Sequence, residues 1–155
     1  MAKTEFTVVK ENLEVRIRRV FDAPIEKLWQ AYTDPELIAK WWRNTTIEIH
    51  DFKVGGKWRF IDHGKNGDEN HAFNGEFKAI EEPNKIVRTF EYEPWAGHVL
   101  VETVLLESIP GNKTQMVTTS KYANLDDLEG MVQSGMEKGA TAGVERIAEL
   151  VEAKE

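Results

Sequence analysis

The chain contains no cysteine. That excludes disulfides, thiolate zinc sites and cysteine nucleophiles. Nor is there an apolar run near the roughly 20 residues that a membrane-spanning helix needs. The first residues, MAKTEFTVVKENLEV, alternate charged and apolar groups and lack the continuous apolar core of a signal peptide. No membrane span and a cytoplasmic location are therefore expected. Basic residues are scarce: 20 Lys and Arg against 27 Asp and Glu give a net charge of -7. No nucleic-acid partner is expected, because phosphate binding rests on a basic face. Arg16, Arg18 and Arg19 form a cluster too short to reverse that, and they read as a solvated strand face. No Ser-His-Asp or Cys-His arrangement can be assembled, and the glycine pairs sit at turns rather than in a strand-to-helix phosphate loop. The residues supply no catalytic set, no cofactor motif and no assigned metal site.

What is present is an ordinary globular balance of 41% hydrophobic and 30% charged residues over 155 positions. A single domain over 1–155 follows, with a core from about residue 13 to 153. Val15, Ile17, Arg19 and Phe21 alternate with Arg16, Arg18 and Val20, the period of a strand. Pro24 opens a short helix carrying Ile25, Leu28, Trp29 and Tyr32, and Asp34-Pro35 opens another with Leu37, Ile38, Trp41 and Trp42. Alternation returns near 46–52, 57–63, 71–81, 85–93, 98–109 and 113–122. Gly55-Gly56, Asn66-Gly67, Pro83-Asn84, Ala96-Gly97 and Gly111-Asn112 punctuate it as hairpin turns. From Asn124 onward the apolar positions Leu125, Leu128, Val132, Met136, Ala140, Val144, Ile147 and Val151 keep helical spacing, with Asn124 and Asp127 as a cap. The spacing predicts one long amphipathic helix on an antiparallel sheet, an α+β pattern. Gly130, Gly135, Gly139 and Gly143 lie within it, each costing up to about 1 kcal/mol relative to alanine. The last three form a stripe open to close approach; the alternative is a break near Gly130 or Gly135.

Four segments, VFDAPIEKLWQAYTDPELIAKWW, VGGKWRF, FNGEFKAIEEPNKIV and SGMEKGATAGVERIAELV, occur in order between about Val15 and Val151. Together they resemble the activator of heat-shock-protein-ninety ATPase homologue-like family, within the START-like (SRPBCC) superfamily. The resemblance implies a helix-grip, Bet v 1-like fold: a curved antiparallel sheet wrapped around the C-terminal helix, with an apolar pocket between them. Two departures stand out. Arg43-Asn44 follows the double tryptophan where relatives frequently have Gly-Pro, and Gly139-Ala140 stands where the final helix often carries Gly-Trp.

Laid on that fold, the inward face comprises Trp58 and Phe60; Phe73, Gly75 and Phe77; Ile86, Phe90 and Tyr92; Leu100, Val104 and Leu106; Met116, Thr118 and Tyr122. Aromatic groups with a few polar ones among them are the usual lining of a small-molecule site. The expected ligand-binding residues are Trp58, Phe60, Phe77, Arg88, Phe90, Glu102, Val104, Met116, Tyr122, Met136, Gly139 and Ala140. Some must simply fill a core. Arg88 and Glu102 share the inward parity; pairing Pro94 with His98 would set Phe90 opposite Glu102 and Arg88 on its diagonal. They read either as a polar anchor, with His98 and Tyr122, or as a structural ion pair. Asp62, His63 and His71 raise zinc as a minor alternative, and His50 reads as incidental.

Three functions compete. The first is binding of an apolar or aromatic small molecule, as monomer or homodimer. The second is a chaperone-interacting module, which an exposed patch around Trp41, Trp42 and Trp95 would favour. The third is a polyketide-cyclase-like enzyme using Glu102 as acid or base.

Overall fold

The computed structural model describes residues 3–42, 44–64 and 66–152. The departure at Arg43 lies outside the described residues. Among the described residues, eight strands form one antiparallel sheet: β1 (Glu5–Val9), β2 (Glu14–Phe21), β3 (Thr45–His50), β4 (Lys57–Asp62), β5 (His71–Glu81), β6 (Lys85–Tyr92), β7 (Leu100–Ile109) and β8 (Lys113–Lys121). Their order is β1-β2-β8-β7-β6-β5-β4-β3, so the segment before the helical insert pairs with the last strand. The insert is α1 (Ile25–Thr33) and α2 (Pro35–Trp41); α3 (Leu125–Gln133) and α4 (Met136–Val151) follow the sheet. This curved sheet with a C-terminal helix is the helix-grip α+β fold. No described helix is long and apolar enough to cross a membrane.

Most boundaries obey local chemistry. Asp34 caps α2 by accepting from the Glu36 amide, and Pro35 takes the first helical position, where its missing N–H costs nothing. Asn124 caps α3 by accepting from the Asp127 amide at 2.8 Å. Gly55, Gly67, Gly97 and Gly111 all adopt positive φ at the expected turns. Register shifts between Ile47 and Ile49 and between Phe77 and Ala79 mark irregularities of the kind that bend a sheet.

Five expectations require correction. The N-terminal residues form an additional strand, β1, paired with β2 from Glu5↔Arg18 to Val9↔Glu14. Arg19 is not solvated: at 5% exposure it lies inward, where the guanidinium donates to both Glu145 oxygens at 3.1 Å and to Glu152 at 3.2 Å. The C-terminal helix is not continuous. Ser134 caps α3 and Gly135, at φ 87°, turns the chain before α4, a conformation glycine adopts without a Cβ clash. His50 is not incidental, because its Nε2 meets the Thr33 carbonyl at 2.7 Å and so fastens β3 to the end of α1. Finally, Glu93–Trp95 winds into a 3-10 turn. This lengthens the β6–β7 loop and sets Arg88 directly opposite Glu102 and Phe90 opposite Leu100.

Phe21, Leu28, Trp58, Phe60, Phe77 and Met116 lie in one buried cluster with Val144, Ile147, Ala148 and Val151 of α4. A smaller cluster gathers Val15, Leu100, Tyr122 and Leu128 under α3. Between the two, the sheet and α4 do not close.

Candidate ligand cavity

A cavity of about 520 Å³ occupies that gap. Its roof is the first half of α4, where Met136, Gly139, Ala140 and Gly143 face the space. Small residues leave it unfilled; a Cβ added at Gly139 meets nothing within 4 Å. Its floor is the concave sheet surface, with Phe73, Phe90, Leu100 and Val104 among polar Arg88, Glu102, Thr118, Ser120 and Tyr122. Tyr32, Trp41 and Trp42 close one side from the helical insert, and Met131 adds to the lining from α3. Trp41 is fixed by its indole N–H donating to the Ala31 carbonyl at 2.7 Å. Trp42 reaches into an aromatic group, edge-on to Phe60 with centroids 5.1 Å apart and nearly parallel to Phe90 at 6.4 Å.

Eight expected residues therefore line the cavity: Arg88, Phe90, Glu102, Val104, Tyr122, Met136, Gly139 and Ala140. Trp58, Phe60, Phe77 and Met116 do not. They point inward as their parity requires, but at 2% exposure or less they are packed core. Parity selects a face of a strand; it does not say how far along the strand the space lies. Tyr32, Trp41, Trp42 and Met131 were missed as cavity residues, because they come from helices whose placement depends on tertiary packing.

The polar side of the floor is ordered by the strand pairing. Arg88 on β6 faces Glu102 on β7, which faces Ser120 on β8. Arg88 Nε donates to Glu102 Oε1 at 2.8 Å, with the two side chains only 14% and 17% exposed. The guanidinium also lies 4.3 Å over the Trp58 ring, a cation–π contact. Burial, reinforced by the charge of Glu102, pushes the Tyr122 phenol up to about 12. The same two causes, in the same order, raise the Tyr32 phenol, while its hydrogen bond with Thr118 opposes them. Both tyrosines are thus neutral donors at ordinary pH. Among the described residues, the Tyr122 hydroxyl donates to the Met136 sulfur at 3.4 Å.

His98 does not join this group. It stacks on Trp95 at 4.1 Å and bonds Asp127 at 2.7 Å. Trp95 is in turn set against Gly130, where an added Cβ would lie 3.1 Å from the ring. The three candidates for zinc are also otherwise engaged. Asp62 accepts from the Gly64 amide, His63 meets Thr46 and Asn70, and His71 lies between Glu69 and Tyr92. Among the described residues, no three His, Asp or Glu gather as metal ligands.

Several solved structures share this architecture. A protein from Mycobacterium smegmatis superimposes with a TM-score of 0.88 at 23% identity, covering 99% of each chain. One from Arthrobacter aurescens gives 0.87 at 27% identity, with 96% of this chain and 91% of that one covered. An HSP90 activator from Plasmodium falciparum gives 0.59 at 28% identity, over 70% of this chain and 72% of that one. Among curated proteins there is no significant sequence match. Residues 22–152 match the family described as "Activator of Hsp90 ATPase homolog 1-like protein". The chain belongs to that family.

Proposed function

We propose that the protein binds an apolar or aromatic small molecule in the cavity beneath α4. The observation that carries this reading is the cavity itself: about 520 Å³, walled mainly by apolar and aromatic groups, with a few polar groups among them. Such a site derives affinity from apolar burial, at about 25 cal/mol per Å² removed from water, and orientation from its few polar atoms. Native mass spectrometry of freshly purified protein tests it, with a co-purified small molecule as the expected result. Absence of any bound species, together with failure to take up a solvatochromic apolar dye, overturns it.

A second reading rests on the likeness to the Plasmodium falciparum HSP90 activator: the chain engages a chaperone and stimulates its ATPase. The tryptophans expected to form an exposed patch for that role are otherwise used, since Trp41 and Trp42 wall the cavity and Trp95 covers Gly130. Stimulation of a chaperone ATPase by purified protein supports this reading, and no stimulation at saturating protein removes it.

A further inference from the structure

We infer that the cavity selects an uncharged ligand whose polar end both donates and accepts hydrogen bonds, as in a hydroxylated aromatic, rather than a carboxylate. This rests on the small-molecule reading above and sharpens it to a ligand class.

Arg88 and Glu102 leave hydrogen-bonding capacity unused. Their contact is a single bond from Nε to Oε1, and no other hydrogen bond of either side chain is formed among the described residues. Both line the cavity, and neither has a fully buried unpaired atom. The two terminal guanidinium nitrogens thus offer donors to a ligand, and the second Glu102 oxygen offers an acceptor. Donor and acceptor lie side by side, because the strand register sets the two residues opposite one another. A ligand hydroxyl can donate to Glu102 while its own lone pairs accept from Arg88.

Charge decides between ligand classes. Asp62, Arg88, Glu102 and Arg146 are the charged residues lining the cavity among those described, and their formal charges cancel. A bound carboxylate would leave a net negative charge in a largely apolar space, against a Glu102 carboxylate already held by the same guanidinium. A cation would find Arg88 equally adverse. Burial first and then Glu102 disfavour ionisation of both Tyr32 and Tyr122, with Arg88 opposing them at Tyr32. A neutral hydroxyl meets no such opposition and satisfies groups that would otherwise need water.

The test uses three probes of one ring system at neutral pH: naphthalene, 2-naphthol and 2-naphthoate, each measured by calorimetry. Wild-type protein is expected to bind 2-naphthol about tenfold more tightly than naphthalene, the worth of one hydrogen bond to a charged group. 2-Naphthoate is expected to bind more weakly than 2-naphthol. In Glu102→Gln the order inverts, because Arg88 is then uncompensated and 2-naphthoate gains by about tenfold or more. Should that variant fail to fold, the double variant Arg88→Met, Glu102→Leu replaces the pair by apolar groups. It should retain naphthalene binding and abolish the 2-naphthol preference. Equal or tighter binding of 2-naphthoate by wild type, or no difference between naphthalene and 2-naphthol, overturns the inference while leaving the cavity reading intact. Failure of all three probes to bind overturns the cavity reading itself, and the inference with it.

Discussion

From Val144 to Val151, α4 buries Val144, Ile147, Ala148 and Val151, each at 7% exposure or less, in the cluster that holds Phe21, Leu28 and Phe60. From Met136 to Ala142 the same helix buries no residue. The two halves cover one sheet, yet the second is mainly core, with Val144 and Ile147 also bordering the cavity, and the first is a roof. Side-chain size on the inward positions accounts for the contrast: Val144, Ile147 and Val151 reach the sheet, whereas Gly139, Ala140 and Gly143 do not. The packed half also carries the charged clamp, since Arg19 ties Glu145 and Glu152 to β2. Stability and ligand space are thereby weighted to different halves of one element, and Val144 and Ile147 border both.

If that division is correct, substitutions should sort by half. Ile147→Ala, at 1% exposure, should destabilise by about 2–5 kcal/mol in urea unfolding, the cost of a core cavity. A loss no larger than that of a surface change would mean the second half is not packed. Ala140→Trp should do the reverse: uptake of an apolar dye is lost, while stability changes by less than the about 1–3 kcal/mol of overpacking. A larger destabilisation would show that the first half has no room. The clamp sharpens the comparison by pH. The hydrogen bond from Arg19 holds the Glu145 carboxyl below its ordinary value of 4.5. Because the native pKa is depressed, this contribution is complete above pH 4.5 and is lost as pH falls through the native value. With Glu145 46% exposed, screening limits it to about 1 kcal/mol. Glu145→Gln should therefore flatten the acid limb of a stability-against-pH curve; an unchanged limb would assign acid sensitivity elsewhere. The smallest effect belongs to the roof. Gly139→Ala adds a Cβ into open space within a helix and should stabilise by about 0.5–1 kcal/mol in thermal unfolding. Destabilisation would indicate that the helix and sheet approach more closely there.

Much of the architecture was legible from period and punctuation. The strands from β2 onward, the two short helices and the caps at Asp34 and Asn124 follow from signals confined to a few neighbouring residues. What was misread depends on distant ones. The alternation of Val15, Ile17, Arg19 and Phe21 already set Arg19 inward, but the acids that make an inward arginine tolerable lie more than 100 positions away, Glu145 on α4 and Glu152 at its C-terminal cap. The pairing of Arg88 with Glu102 turned on the length of one loop, and the 3-10 turn at Glu93–Trp95 moved the register by two residues. Gly135 carried the break in the final helix, yet glycine alone does not distinguish a break from a stripe of close approach.

The candidate site divides in the same way. Sequence by itself determined the helix-grip family, the inward faces of the strands, the small residues of the roof and the presence of an inward arginine and glutamate. Tertiary structure alone decided which inward residues became core, which stayed open to a cavity, and that Tyr32, Trp41 and Trp42 close its side. The reason is physical. Periodicity is a property of one element and reports which way a side chain points; a cavity is the space left over when several elements stop short of one another, and no single element encodes it.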